Sequence, residues 1–336
     1  MEHKVFSRKK QYSQFSTEHV LHEAFGGFKN ALTLNGEVCK ICNSYFGDTM
    51  DRILTRGTYE AVERFRTGAK SLLEFEDFVE QNIKFFTKNK QPVLNDAPAK
   101  LCVVDNQLKI AFVPHIAFEQ KHKMEWIRFN EQELLNSTLP DSDQLTGNWQ
   151  ILANTADEEE KIFSLVNAKG RNITPTGTAI PGIVPVYAEY RIDDLVKRAL
   201  AKICFNYLAD IMVEKKYPEF LFNKYLDAAR EFIRCGIWAE HEIVEPKTEP
   251  ILGLDTKSLR QTNGHLVSVE LIEEHGKWKI QGSVSLYNTF DWKVNLANHF
   301  HGIQIPINRG HHWNISSLNC SSMKSVQRDL TVNVWQ

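Results

Sequence analysis

Ser16-Thr-Glu-His-Val-Leu-His-Glu-Ala-Phe-Gly-Gly27 is followed, after a short gap, by Val38-Cys-Lys-Ile-Cys-Asn-Ser-Tyr-Phe-Gly-Asp-Thr-Met-Asp51. A carboxylate stands beside an imidazole at Glu18-His19, a glycine pair closes the first stretch, and Cys-x-x-Cys-Asn opens the second. From Cys42 to about Gly57 the apolar residues Phe46, Met50, Ile53 and Leu54 recur at helical spacing, which predicts a helix. Asn43, Gly47 and Asp51 lie four apart and so share one side of it, next to the apolar face of Phe46, Met50 and Ile53. Adjacent strand residues point opposite ways, so Glu18 and His19 can face one cleft only at a strand end, where the chain bends.

In order and spacing these residues resemble the HNH nuclease family. The acidic-residue-then-histidine step falls on Glu18-His19, the glycine pair on Gly26-Gly27, and Cys-x-x-Cys-Asn on Cys39, Cys42 and Asn43. The branch with phage junction-resolving nucleases is the most similar, since asparagine also follows its second cysteine. The resemblance implies an α+β fold: an N-terminal ββα-metal module, a hairpin and a helix around one divalent metal, followed by a larger mixed α+β region. It also implies hydrolysis of DNA phosphodiester bonds, with RNA as the alternative substrate.

Such hydrolysis needs a base for the attacking water and positive charge for the phosphate. A neutral imidazole titrates near physiological pH, so His19 is the expected general base. Magnesium or manganese takes oxygen ligands, for which Glu18 and the Asn43 carbonyl are the candidates. Asp51 is either an outer ligand or a residue that orients His19. Gly47 leaves room for a phosphate backbone, and Arg52, Arg56, Arg64 and Arg66 are candidate phosphate contacts. A solvated helix face is the alternative reading of these arginines.

Relatives commonly carry a further Cys-x-x-Cys upstream, and four thiolates then bind a structural zinc. Phe6-Ser-Arg-Lys-Lys-Gln-Tyr-Ser-Gln-Phe15 has no cysteine. Either His22 or His3 completes a mixed zinc site with Cys39 and Cys42, or the two cysteines are packed thiols, and the second reading is preferred. His22 stands where relatives often have proline, as a second cleft base or a simple substitution.

Beyond the motif, residues 1–90 are expected to form the nuclease module with a helical extension from Leu73 to Phe86. Pro92 and Pro98 mark a boundary, and 91–336 is expected to be a recognition or regulatory region that also offers a surface to a protein partner or a second copy. Strands are predicted at Leu101–Val104 and Leu108–Val113 around an Asp105-Asn106 hairpin turn, and at Trp126–Phe129, Trp149–Leu152, Ile162–Val166 and Ile183–Tyr190. A helical pair follows over 194–235, its first member capped by Asp194, and strands return over 265–297. Ala201-Lys-Ile-Cys-Phe-Asn-Tyr-Leu-Ala209 loosely resembles a segment of longer bacterial HNH proteins, often associated with phage or mobile-element defence.

The chain has 336 residues and a net charge of -2, which argues against bulk attraction to nucleic acid. Over residues 1–70, however, eleven Lys and Arg outnumber eight Asp and Glu, so the motif region is locally basic. Six scattered cysteines and no long apolar run fit a reducing, cytoplasmic setting with no membrane span. Cys204 and Cys235 lie in apolar helical patterns and are expected in the core. His299, His301, His311 and His312 have no acidic or thiol neighbour and are expected at or near the surface. A module that binds nucleic acid without cutting it, or serves as a scaffold, is the competing functional class.

Overall fold

The computed structural model describes residues 15–28, 31–79, 81–123, 125–173, 184–237, 244–246, 264–300, 307, 309–314 and 331–335. The chain starts with a two-stranded antiparallel hairpin, β1 (Phe15–His19) and β2 (Thr33–Cys39). Pairing slips between Ser16↔Val38 and Thr17↔Asn35, so Gly36 and Glu37 bulge out of β2. Gly36 takes φ 77°, a left-handed conformation that glycine adopts without strain.

Helix α1 (Lys40–Phe46) follows at once, because Cys39 is its N-cap and its sulfur accepts a hydrogen bond from the Cys42 N–H at 3.2 Å. The Cys-x-x-Cys spacing thus acts here as a cap. A π-helical turn, Gly47–Asp51, leads into α2 (Arg52–Arg56) and then α3 (Tyr59–Arg66), whose cap Thr58 accepts from Ala61 N–H. The expected helix after Cys42 is present, with one wide turn inside it. Such turns are often found at functional positions.

The expected helical extension over 73–86 becomes a 3-10 turn at Leu72–Asp77 and then a strand, β3 (Ile83–Thr87). Ile-Lys-Phe-Phe-Thr is β-branched and aromatic, and it pairs on both sides. Next come β4 (Pro98–Val104), β5 (Gln107–Phe112), β6 (His115–Gln120), β7 (Trp126–Asn130), α4 (Glu131–Asn136), β8 (Leu145–Leu152), α5 (Ala156–Ala168) and β9 (Val186–Arg191). Asp105 and Asn106 both have positive φ, as the two-residue turn requires. Ile162–Val166, expected as a strand, lies inside α5. Thr155 caps that helix by accepting from Glu158 N–H, the acidic run Asp157–Glu159 fills its first turn, and Ile162 and Val166 share its buried face.

Helix α6 (Asp194–Glu214) is capped by Asp193, one residue before the expected Asp194, and α7 (Asp227–Cys235) follows. Strands β10 (Val244–Pro246), β11 (Gly264–Glu274), β12 (Lys277–Leu286), β13 (Phe290–Phe300), β14 (Arg309–Asn314) and β15 (Thr331–Trp335) complete the order. Cys204 is buried in α6 as expected. Cys235 is exposed, because it is the last residue of α7 and lies past the face formed by Ala229, Phe232 and Ile233. The side chains of His299, His301 and His312 lie outside the described residues, and His311 is half-buried.

The described residues group differently from a cut at residue 90. One compact unit comprises those of Met1–Val79 and Ile192–Met323, and the other those of Glu80–Arg191 and Lys324–Gln336. In the first, an antiparallel sheet ordered β10-β13-β12-β11-β14 carries α6 on one face. A Cβ on Gly282 of β12 would stand 2.5 Å from Cys204 Cβ, so only glycine lets helix and sheet approach this closely. The second unit holds a five-stranded sheet, β15-β9-β3-β4-β5, and a three-stranded one, β7-β6-β8. Ile116, Phe118, Leu134, Leu145, Ile162 and Val166 form an apolar core there. No helix among the described residues is long and apolar enough to cross a membrane.

Candidate active site

The hairpin and helix of the quoted motif meet α6 along a polar seam. Arg198, Lys202 and Asn206 recur every fourth residue on α6, so they form one stripe. All three are buried, with exposures of 7%, 3% and 7%. Arg198 donates to Tyr45 Oη at 2.9 Å and to the closing carbonyls of α7, Ile233 O and Arg234 O. The Lys202 ammonium donates to Asp51 Oδ2 at 2.7 Å and Oδ1 at 3.0 Å, and lies 2.5 Å from Glu18 Oε1. Asn206 Nδ2 donates to Glu18 Oε1 at 3.1 Å and to His19 O at 3.3 Å.

Glu18 and Asp51 are therefore brought together around an ammonium. Burial lifts the Glu18 carboxyl above its ordinary range, and Lys202 opposes that rise without cancelling it. Burial also works against the Lys202 charge, yet the Asp51 and Glu18 carboxylates outweigh it and hold the ammonium protonated. The ring of Phe46 lies 5.6 Å from the Lys202 nitrogen, adding a cation–π contact.

Asn43 serves the hairpin. Its side-chain amide donates to Ser16 Oγ at 2.9 Å and to Thr17 O at 3.0 Å, which holds β1 against α1 beside the bulge. His19 ends β1, with Nε2 3.1 Å from Glu23 Oε1, while Nδ1 is shielded from solvent and has no hydrogen-bond partner. His22 caps the Glu23–Phe25 turn, its Nδ1 accepting from Ala24 N–H at 3.1 Å. Burial lowers its pKa, and the charge of Asp51 opposes that while Lys202, Arg64 and His19 add to it. Burial raises the Cys42 thiol to about 11, with the Cys39 sulfur adding to the effect. His3 lies outside the described residues.

The four arginines separate. Arg52 is exposed and Arg56 half-buried on α2. Arg64 is buried, donating from Nε to Ala24 O at 2.6 Å and from Nη1 to Thr55 O. Arg66 Nε donates to both Glu63 oxygens, at 2.9 and 2.7 Å. Arg64 and Arg66 hold the fold together, which leaves Arg52 and Arg56 as the phosphate candidates. The turn Glu23–Phe25 is itself anchored on the sheet, where His265 Nε2 and Tyr287 Oη reach Phe25 O at 3.3 and 3.2 Å.

Sequence reasoning missed Lys202, Asn206, Arg198 and Glu23. Their signal was present: three polar residues at a four-residue interval within the apolar pattern of the helix, and a carboxylate four residues after His19.

HNH nucleases generally use a divalent metal, and the Glu18–Asp51 pair expected at one here does not fit it in this arrangement. Glu18 Oε1 and both Asp51 oxygens accept hydrogen bonds from Lys202 or Asn206, while the Asn43 contacts to β1 use its Nδ2 and not its carbonyl oxygen. Among the described residues no group of three or more His, Cys, Asp or Glu side chains is gathered for a metal ion, zinc included. Comparison with curated proteins and with solved structures gave no match. Residues 7–58 match the family model described as HNH endonuclease. The match spans the hairpin, the helix and the Glu18-His19 step, so the amino-terminal module is similar to HNH endonucleases.

Proposed function

We propose that this chain hydrolyses phosphodiester bonds in DNA at its HNH module, with His19 as general base. The observation that carries this reading is the state of the His19 ring: Nε2 faces the Glu23 carboxylate while Nδ1 keeps an unused lone pair. A carboxylate on one nitrogen fixes the tautomer and leaves the other as the acceptor. Nδ1 takes a proton from a water that enters with the substrate, the water oxygen bonds to phosphorus, and the leaving deoxyribose oxygen departs with the electrons of the broken P–O bond. Arg52 and Arg56 place the backbone by charge, a contact that carries no sequence information.

The test is nicking of supercoiled plasmid by wild type and His19→Ala, with Mg²⁺, with Mn²⁺ and with chelator, alongside an RNA substrate. Loss of a general base reduces the rate roughly 10²–10⁴-fold. Equal cleavage by both proteins overturns the assignment of His19, and cleavage of RNA alone overturns the substrate. The Lys202 ammonium between Glu18 and Asp51 favours a second reading, a module that binds nucleic acid without cutting it. DNA binding with no cleavage by either protein supports that reading.

A further inference from the structure

Lys202 comes from a helix more than 140 residues beyond the HNH motif, yet its ammonium stands between the motif's two carboxylates. An ammonium has three donors, and here all three are used: one toward Glu18 Oε1 and two toward the Asp51 oxygens. The distances, 2.5 to 3.0 Å, are those of charge-assisted hydrogen bonds. A hard divalent ion bridging the same oxygens needs them about 2.0–2.6 Å away and free to turn their lone pairs toward it. Ion and ammonium therefore compete for one space and one set of lone pairs, and both cannot occupy it.

Two further observations make the ammonium a built part of the module. Asn206, one helical turn along α6, donates to the same Glu18 oxygen and to the His19 carbonyl, which fixes the end of β1. Arg198, one turn the other way, fixes Tyr45 on α1. The whole stripe on α6 is therefore fitted to the hairpin and helix, with Lys202 at its centre.

We propose that Lys202 is a resident cation of the HNH module: it neutralises Glu18 and Asp51 in place of a divalent ion and excludes such an ion from that pair. Any divalent ion the protein uses is then held by other groups. The inference concerns ion binding and holds whether or not the module cleaves nucleic acid.

Full-length wild type, Glu18→Gln, Lys202→Met and Lys202→Met/Asp51→Asn, each freed of metal with chelator, are titrated with Mn²⁺ alone. Bound ion is read from loss of the free-ion EPR signal, and folding from circular dichroism. The expected result is equal Mn²⁺ uptake by wild type and Glu18→Gln, a gained stoichiometric site in Lys202→Met, and its loss in the double variant. Lower uptake by Glu18→Gln than by wild type overturns the proposal, because the ion would then be displacing the ammonium. A folded Lys202→Met that gains no site overturns it as well. If Lys202→Met folds only when Mn²⁺ is added, the ion is replacing the lysine and the proposal stands. If it folds in neither condition, the comparison of wild type with Glu18→Gln decides.

Discussion

The two units bury different kinds of interior. In the unit that carries the HNH motif, Glu18, Asp51, Glu63, Arg64, Arg198 and Lys202 are all below one-tenth exposed; Glu63 is paired with Arg66, and the others are joined to one another or to backbone carbonyls. In the other unit the core is apolar, Ile116, Phe118, Leu134, Leu145, Ile162 and Val166, with His115 the buried group that can carry charge. Charges are costly to bury, and an apolar interior of the same volume is often as stable or more so. The polar seam is therefore best explained by what it positions: the carboxylates, the His19 carbonyl and the end of β1.

The largest effect should come from breaking that seam. Lys202→Met leaves two facing carboxylates without their cation and should cost about 3–5 kcal/mol, the usual consequence of removing one partner from a buried ion pair. Urea or thermal melts in chelator check it, and Lys202→Met/Asp51→Asn should recover part of the loss. A cost below about 1 kcal/mol would place the pair energetically among exposed salt bridges and erase the contrast between the two interiors.

How much of this was legible in the sequence follows from the same contrast. The helix after Cys42 was readable from local spacing and the hairpin from the family resemblance, whereas the joining of Glu18 with Asp51 through Lys202 was not. The strands and helices of the apolar regions were readable wherever periodicity was clean, as at 194–211 and around Asp105-Asn106. Ile162–Val166 misled because a short apolar run fits either element, and the cap Thr155 with Glu158 decided for helix. The polar stripe that holds Lys202 was visible in the sequence, but its partners were not, since they lie 151 and 184 residues earlier in the chain. The tie from Asn43 to β1 was not legible either, because a side-chain amide looks the same in sequence whether or not its N–H₂ holds a strand.

The next effect belongs to the other unit. His115 is fully buried in β6, its Nδ1 lies 2.6 Å from Val113 O, and burial lowers its pKa from 6.5 to about 4. The fold therefore stores the neutral ring. Above pH 6.5 both folded and unfolded chains hold it neutral, and stability is complete. As pH falls from 6.5 toward 4, the unfolded chain takes up a proton that the folded chain refuses, so stability falls through this window. The loss is on the order of 3 kcal/mol. Urea titrations at stepped pH check the slope, and His115→Gln should flatten it. An unchanged slope in that variant would move the pH sensitivity to the charged seam and reverse the contrast.

The smallest of these effects tests whether the apolar face of α6 holds its polar face in place. An alanine at Gly282 would set its Cβ 2.5 Å from Cys204 Cβ and 2.8 Å from Cys204 Sγ, on the side of α6 packed against the sheet. Cys204→Ala cannot relieve this, because it keeps the Cβ that makes the closest contact, so helix and sheet must move apart. Such overpacking costs about 1–3 kcal/mol. Lys202, two residues before Cys204, moves with the helix, and its bonds to Glu18 and Asp51 lengthen or tilt. Gly282→Ala should therefore lower the melting temperature and also slow plasmid nicking at a temperature where the protein remains folded. A variant that loses stability but cuts at the wild-type rate would show that the sheet supports α6 without setting the geometry of the HNH site.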